Sequence, residues 1–189
     1  MSQPKGYSAL QIALHWGVAA LILFQLILGD DMSHAWRDFS KTGVAAMSLS
    51  VWAHIVVGVA ILAFVLWRLV LRFTRGVPAD PVGTTAKMAL VAHWGHIGLY
   101  GLMLAVPLTG LIGWYGNQSL LVEAHGWLKP VLIVVILGHI AAALYHQFIL
   151  KDGLLLRMKR PQRPSAWRPR KRPRKCARRR RLKSYVASS

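Results

Sequence analysis

The stretch that decides the fold is His125-Gly-Trp-Leu-Lys-Pro-Val-Leu-Ile-Val-Val-Ile-Leu-Gly-His139-Ile-Ala-Ala-Ala-Leu-Tyr-His146. Its three histidines are 14 and 7 residues apart. At roughly 100° per residue, 14 steps return to within about 40° of the starting direction, so all three share one broad face of one helix. At about 1.5 Å of rise per residue, His125 and His139 stand roughly 21 Å apart along its axis. The run between them, Val131-Leu-Ile-Val-Val-Ile-Leu137, is apolar, so this is no solvated polar face. Imidazoles in such surroundings need partners, and haem iron, one near each surface of a bilayer, accounts for the spacing.

Working outward, the chain holds 189 residues, 54% of them hydrophobic, with 24 Lys and Arg against 6 Asp and Glu. Spread evenly, that excess would suggest a nucleic-acid binder. Instead 16 of the basic residues lie at or after Lys151, and what precedes them is mostly apolar in runs long enough to span a membrane. The one cysteine, Cys176, excludes an intrachain disulfide, a C-x-x-C-H haem attachment and a cysteine-rich metal cluster. Any haem must be held by histidine without a covalent link.

Four spans are expected, at about 9–29, 51–73, 88–114 and 120–150, forming one unit over residues 1–160. The first is too long for the apolar core of a signal peptide and runs directly into Asp30-Asp31, so it reads as a retained span. Residues 30–50, with mixed charges, read as a loop. Pro107, in the middle of the third span, frees a backbone carbonyl and kinks that helix. Lys5, Arg68, Arg72, Arg75, Lys87 and the tail fall on one side of the membrane, against Arg37, Lys41 and Lys129 on the other. The positive-inside rule therefore puts both ends of the chain in the cytoplasm, in a bacterial inner membrane. Residues 161–189, rich in Arg and Pro with almost nothing to bury, read as a disordered cytoplasmic tail attracted to anionic lipid, with no nucleic-acid role.

Depth sorts the remaining histidines, because two axial ligands must reach one iron from opposite sides. His54, opening the second span, and His125, near the start of the fourth, are at the outer surface and can face each other. On the inner side His15 and the pair His93 and His96 stand early in the first and third spans. Their fourth-span counterpart is His139 or His146, and depth alone favours His146. Arg68 lies 14 residues beyond His54 on a similar face. Arg68 and Arg72 are placed either to meet the propionates of an inner haem or to snorkel at a helix end.

The ordered pieces Tyr7-Ser, Gln11-Ile, His15-Trp16, His54 with Gly58, Arg68-Leu, Leu71-Arg72, Ala92-His93, Gly95-His96, Pro107 with Gly110, His139 with Ala141-Ala-Ala, His146, and Lys151-Asp152-Gly-Leu-Leu-Leu-Arg157-Met158 resemble the bacterial cytochrome b561 family over about residues 7–160. The resemblance implies an all-α integral membrane four-helix bundle around two non-covalent haems b. Carried onto this chain, the axial pairs are His54 with His125 and His15 with His139, and His146 becomes a residue beside the inner haem or a quinone. It also implies electron exchange with ubiquinone or ubiquinol and, for superoxide oxidase-like members, oxidation of periplasmic superoxide. The arginine-rich tail and the short second outer loop depart from the family's pattern.

Two bis-histidine irons leave no open coordination position, which favours outer-sphere electron transfer. No catalytic residue is assigned. Two other readings stand beside this one: a membrane-anchoring cytochrome b subunit fed by a dehydrogenase or hydrogenase partner, and a haem-free proton conduit built on histidines. The sequence leaves the electron donor, the quinone site and the oligomeric state open.

Overall fold

The computed structural model describes residues 6–161, apart from Leu28, Ala45, Ala46, Val82 and the side chains of residues 29 and 30. The tail expected to be disordered lies, with Cys176, outside the described residues. The described chain is helical throughout: α1 (Ala9–Ile27), α2 (Gly29–Thr42), α3 (Leu49–Arg75), α4 (Ala86–Tyr115), α5 (Ser119–Tyr145) and α6 (Leu154–Arg157). One π turn, His146–Leu150, prolongs α5. Four stretches are long and apolar enough to cross a membrane: α1, α3, α4, and α5 with its π turn, Ser119–Leu150. In hydrocarbon a backbone must satisfy its own polar groups, and a continuous helix does so.

Local chemistry marks the ends. Before α1, Ser8 and Gln11 form a reciprocal capping box, Ser8 N donating to Gln11 Oε1 (3.0 Å) and Gln11 N to Ser8 Oγ (3.3 Å). Ser48 caps α3 and Thr85 caps α4 through their side-chain oxygens. Gly76 stops α3 with φ 74°, a conformation that favours glycine. Pro107 lies inside α4, which continues through it as one helix. The Thr109 hydroxyl donates to Ala105 O (2.8 Å) and Val106 O (2.9 Å) at the same turn.

The segment expected as a loop, 30–50, is corrected: Gly29–Thr42 is a helix. Its apolar residues Met32, Ala35, Trp36 and Phe39 follow the i, i+3, i+4, i+7 pattern of one helical face, and the interspersed charges line the other. Ala35 is buried with Val51 and Ile55 of α3 and Trp114 of α4, and Met32 and Trp36 pack against that cluster. The rings of Trp36, Phe39 and Trp114 stand 5.8–6.0 Å apart, centre to centre. The Ser50 hydroxyl donates to Asp31 Oδ2 (2.5 Å), tying the start of α2 to that of α3. α2 is thus a lid laid across the end of the bundle where α3 begins and α4 ends.

A second cluster, Val18, Ile61 and Val65 with Phe64, Tyr100, Met103 and Leu104 around it, joins α1, α3 and α4 at mid-depth. Val51 and Val65 are the most deeply buried side chains, at 1% and 0% exposure. Most other large apolar side chains, from Leu23 to Phe148, face outward, as expected where lipid is the solvent. α5 packs along α4, and α1, α3 and α4 pack on one another in turn. No comparable packing joins α5 to α1 or α3. Across those two gaps the histidines face one another.

Candidate functional site

At the end covered by α2, the one the basic-residue count expects to be outer, His54 of α3 and His125 of α5 face each other with ring centroids 6.1 Å apart. At the inner end, His15 of α1 and His139 of α5 do the same at 6.3 Å. A metal ion between two imidazoles sits about 2 Å from each nitrogen, and each nitrogen about 1 Å from its ring centre, so such rings stand roughly 6 Å apart. Both pairs meet that spacing. Among the described residues no three His, Cys, Asp or Glu side chains form a metal-holding group. An ion in either gap would therefore draw two donors from the protein, the number that a haem with its four ring nitrogens leaves to be filled.

The outer pair borders a cavity of about 410 Å³. It runs from Trp36 and Arg37 of the α2 lid down to Ile61, Met103 and Ile136, so its wall is mainly apolar. His125 Nδ1 donates to Val106 O (2.7 Å), which leaves Nε2 as the free nitrogen. A fixed Nδ1–H bond of this kind is how protein-held imidazoles are oriented for a metal. Gly110 makes the arrangement fit: a Cβ there would stand 2.9 Å from His125 Nδ1. On the other wall, Gln25 Nε2 donates to His54 O (2.8 Å), and a Cβ on Gly58 would come within 3.4 Å of that same amide nitrogen. The donor to His54 O must be the amide nitrogen, so Gln25 Oε1 is left buried without a partner among the described residues, as is His54 Nδ1.

The inner pair lies near the cationic end of α3. Arg68 Nη1 is buried with no acceptor among the described residues. The Arg72 guanidinium sits over the Tyr100 ring at 5.9 Å. A haem brings two carboxylates, the acceptors that such guanidinium groups lack. His96 stands 5.4 Å from His139 and donates its Nδ1 proton to Ala92 O (2.7 Å). His93 is exposed beside Trp94. The residues present therefore fit haem at both ends.

His146, which depth alone would have chosen as the inner ligand, goes elsewhere. It lies in the π turn, where its Nδ1 meets Asp152 Oδ2 at 2.5 Å. Asp152 Oδ1 accepts from Leu154 N (2.9 Å). Burial raises the Asp152 pKa, but the bonds from His146 and Leu154 outweigh it and hold the carboxyl below its ordinary value. A carboxylate with a depressed pKa contributes stability above its unfolded value, about 3.9 for aspartate, and that contribution is lost as pH falls through the folded value. Protease sensitivity of residues 151–161 in purified protein should therefore rise below about pH 4. Asp152→Asn should show the raised sensitivity already at neutral pH.

Several of these contributors carry weak sequence signals. Gln25 reads as one polar residue in an apolar span, and Gly110 stands out only through the resemblance, with no role attached. The Val106 carbonyl carries no signal at all, because every residue has one.

The chain matches the family described as prokaryotic cytochrome b561 over residues 6–161. It is 40% identical to cytochrome b562 of Cereibacter sphaeroides, over 86% of this chain and 100% of that protein. It is 28% identical to a probable superoxide oxidase, CybB, of Yersinia pestis, over 82% of this chain and 96% of that protein. Cytochrome b561 homolog 2 of Escherichia coli K12 is 27% identical, over 82% and 92% of the two chains. With four apolar helices, facing imidazole pairs and a match spanning most of its length, the chain belongs to the prokaryotic cytochrome b561 family, multi-pass membrane proteins of electron transfer that carry b-type haem.

Proposed function

We propose that this protein holds two haems b, one between His54 and His125 and one between His15 and His139, and passes electrons between them to or from ubiquinone in the bacterial inner membrane. The observation that carries the proposal is the pair of ring spacings, 6.1 and 6.3 Å, at opposite ends of one bundle. Haem held by two imidazoles supplies one-electron transfer without an open coordination position. The chain's own work is to orient His125 through Val106 O, to exclude water with the α2 lid, and to offer Arg68 and Arg72 to the carboxylates of the inner haem. His146 serves a quinone at the inner end. Its Nδ1 is engaged by Asp152, so Nε2 is free to exchange a proton with a quinone oxygen. Lys and Arg are concentrated around the inner ends of α3 and α4 and after Lys151, which supports cytoplasmic termini.

Superoxide is the outer donor this reading favours, in keeping with the likeness to a probable superoxide oxidase. The test is to purify the protein, measure haem per chain, and follow haem reduction on adding a short-chain ubiquinol or a superoxide-generating system. Two b-type haems per chain, reduced by both donors, is the expected result. One haem per chain would break one imidazole pair. Two haems that ubiquinol leaves oxidised would remove the quinone from the reading, and two that superoxide leaves oxidised would point to a protein donor.

A further inference from the structure

The outer cavity gathers two cations that lie 92 residues apart in the chain: Arg37, on the lid helix α2, and Lys129, on α5. Lys129 is the only Lys or Arg between Ser119 and Leu150, in the fourth apolar span. It follows His125 by four residues, one helical turn on the same face, and lines the same cavity as His54 and His125. Among the described residues Lys129 donates to no acceptor, and the one ion pair is between His146 and Asp152. Glu123, the acidic residue of α5, is six positions earlier and roughly 120° round the helix. A half-buried lysine in a mainly apolar cavity calls for an anion, and the cavity that Lys129 lines has no described carboxylate in its wall.

Arg37 differs from Lys129 in being exposed, with Nη2 against His34 Nδ1 at 2.9 Å. It therefore bounds the mouth of the cavity, while Lys129 lies deeper in it. Lys41, the other cation of α2, lines no part of the cavity. The outer basic residues thus divide into two that share the cavity and one that does not line it. That division cannot be seen while residues 30–50 are taken as a loop.

We propose that Lys129, with Arg37 at the rim, is the anion cradle of the outer site, and that its partner is a carboxylate of the haem held between His54 and His125. This rests on the reading of that pair as haem ligands. A fixed cation beside the haem favours its reduced form, because reduction removes one positive charge from the iron. Lys129 is then a tuning residue that holds the potential of the outer haem above the value the two imidazoles alone would set. The inner site has its own cations, Arg68 and Arg72, so the two ends of one bundle can be set apart in potential by different residues.

The test is a redox titration of the purified wild-type, Lys129→Met, Lys129→Arg and Arg37→Gln proteins, followed by absorbance, with haem per chain measured on each. In Lys129→Met one of the two transitions should move to lower potential while the other stays, and Lys129→Arg should restore it. Arg37→Gln should move the same transition by less. A fall in haem per chain in Lys129→Met that Lys129→Arg repairs would also support the cradle. Unchanged potentials and haem content in Lys129→Met would overturn it. So would a change confined to the salt dependence of reduction by an anionic donor, which would make the cations a docking site for a small anion. If Lys129→Met does not accumulate, Lys129→Gln gives the same reading, with Arg37→Gln as the independent arm. Failure of the ligand reading is separable: His54→Ala that keeps both haems would overturn that reading whatever Lys129 does.

Discussion

His54→Ala and His125→Ala are each expected to purify with one haem per chain instead of two, and His15→Ala and His139→Ala to lose the other one. The argument is geometric. Each proposed site would draw its two protein donors from different helices, and the packing of those helices holds the rings of His54 and His125 at 6.1 Å and those of His15 and His139 at 6.3 Å. Removing one imidazole leaves a single donor in a mainly apolar gap, and non-covalent haem then has one iron–protein bond and no covalent tether. The two sites lie on separate stretches of α5, 14 residues apart, so the losses should be independent. A double variant, His54→Ala with His139→Ala, should carry no haem. Haem per chain, with the reduced-minus-oxidised spectrum of each single variant, measures this directly. His146→Ala should retain both haems, because His146 faces Asp152 and not His15. Loss of the inner haem in His146→Ala with retention in His139→Ala would reverse the assignment.

Gly113→Val should be the most damaging apolar substitution in the bundle. Gly113 is buried where α4 turns back into α5. A Cβ there would stand 2.8 Å from Val122 Cγ2 and 2.9 Å from the Val122 backbone nitrogen. A side-chain tip can rotate away, but a backbone nitrogen inside a helix cannot. The start of α5 must move off α4, carrying His125 with it. Overpacking of this kind costs about 1–3 kcal/mol, more where the backbone resists. The expected result is a lower melting temperature in detergent and loss of the outer haem ahead of the inner one. Gly101→Ala, whose Cβ would meet nothing within 4 Å and which lies outside the outer cavity, is the control and should behave as wild type.

Much of the architecture was legible because the bilayer leaves so few choices. A chain with runs of apolar residues about 20 long must make helices there, and four such runs with short links make neighbours antiparallel. That logic places His54 and His125 at one end of the bundle from spacing alone. It fails at His139 against His146, because span ends drift by several residues and 7 positions leave both histidines on one face. In the folded chain the two separate: His139 stands 6.3 Å from His15, while the π turn carries His146 towards Asp152. The lid helix α2 was legible in principle, through Met32, Ala35, Trp36 and Phe39, but its mixed charges read as a loop. What it covers depends on Trp114, 78 residues further along than Trp36.

The sequence by itself determined that the chain has four helices fit to cross a membrane, that one end of the bundle is the basic one, and that its histidines stand in two layers. Each of these follows from local properties: length of apolar run, charge count and helical period. The resemblance implies which imidazoles pair, but only the tertiary structure brings their rings to 6.1 and 6.3 Å, orients His125 through the Val106 carbonyl and Gly110, and puts Arg37 and Lys129 in one cavity. Those facts depend on distances between residues far apart in the chain. Helix period fixes the face a side chain occupies, but the neighbour it meets is set by how the helices pack.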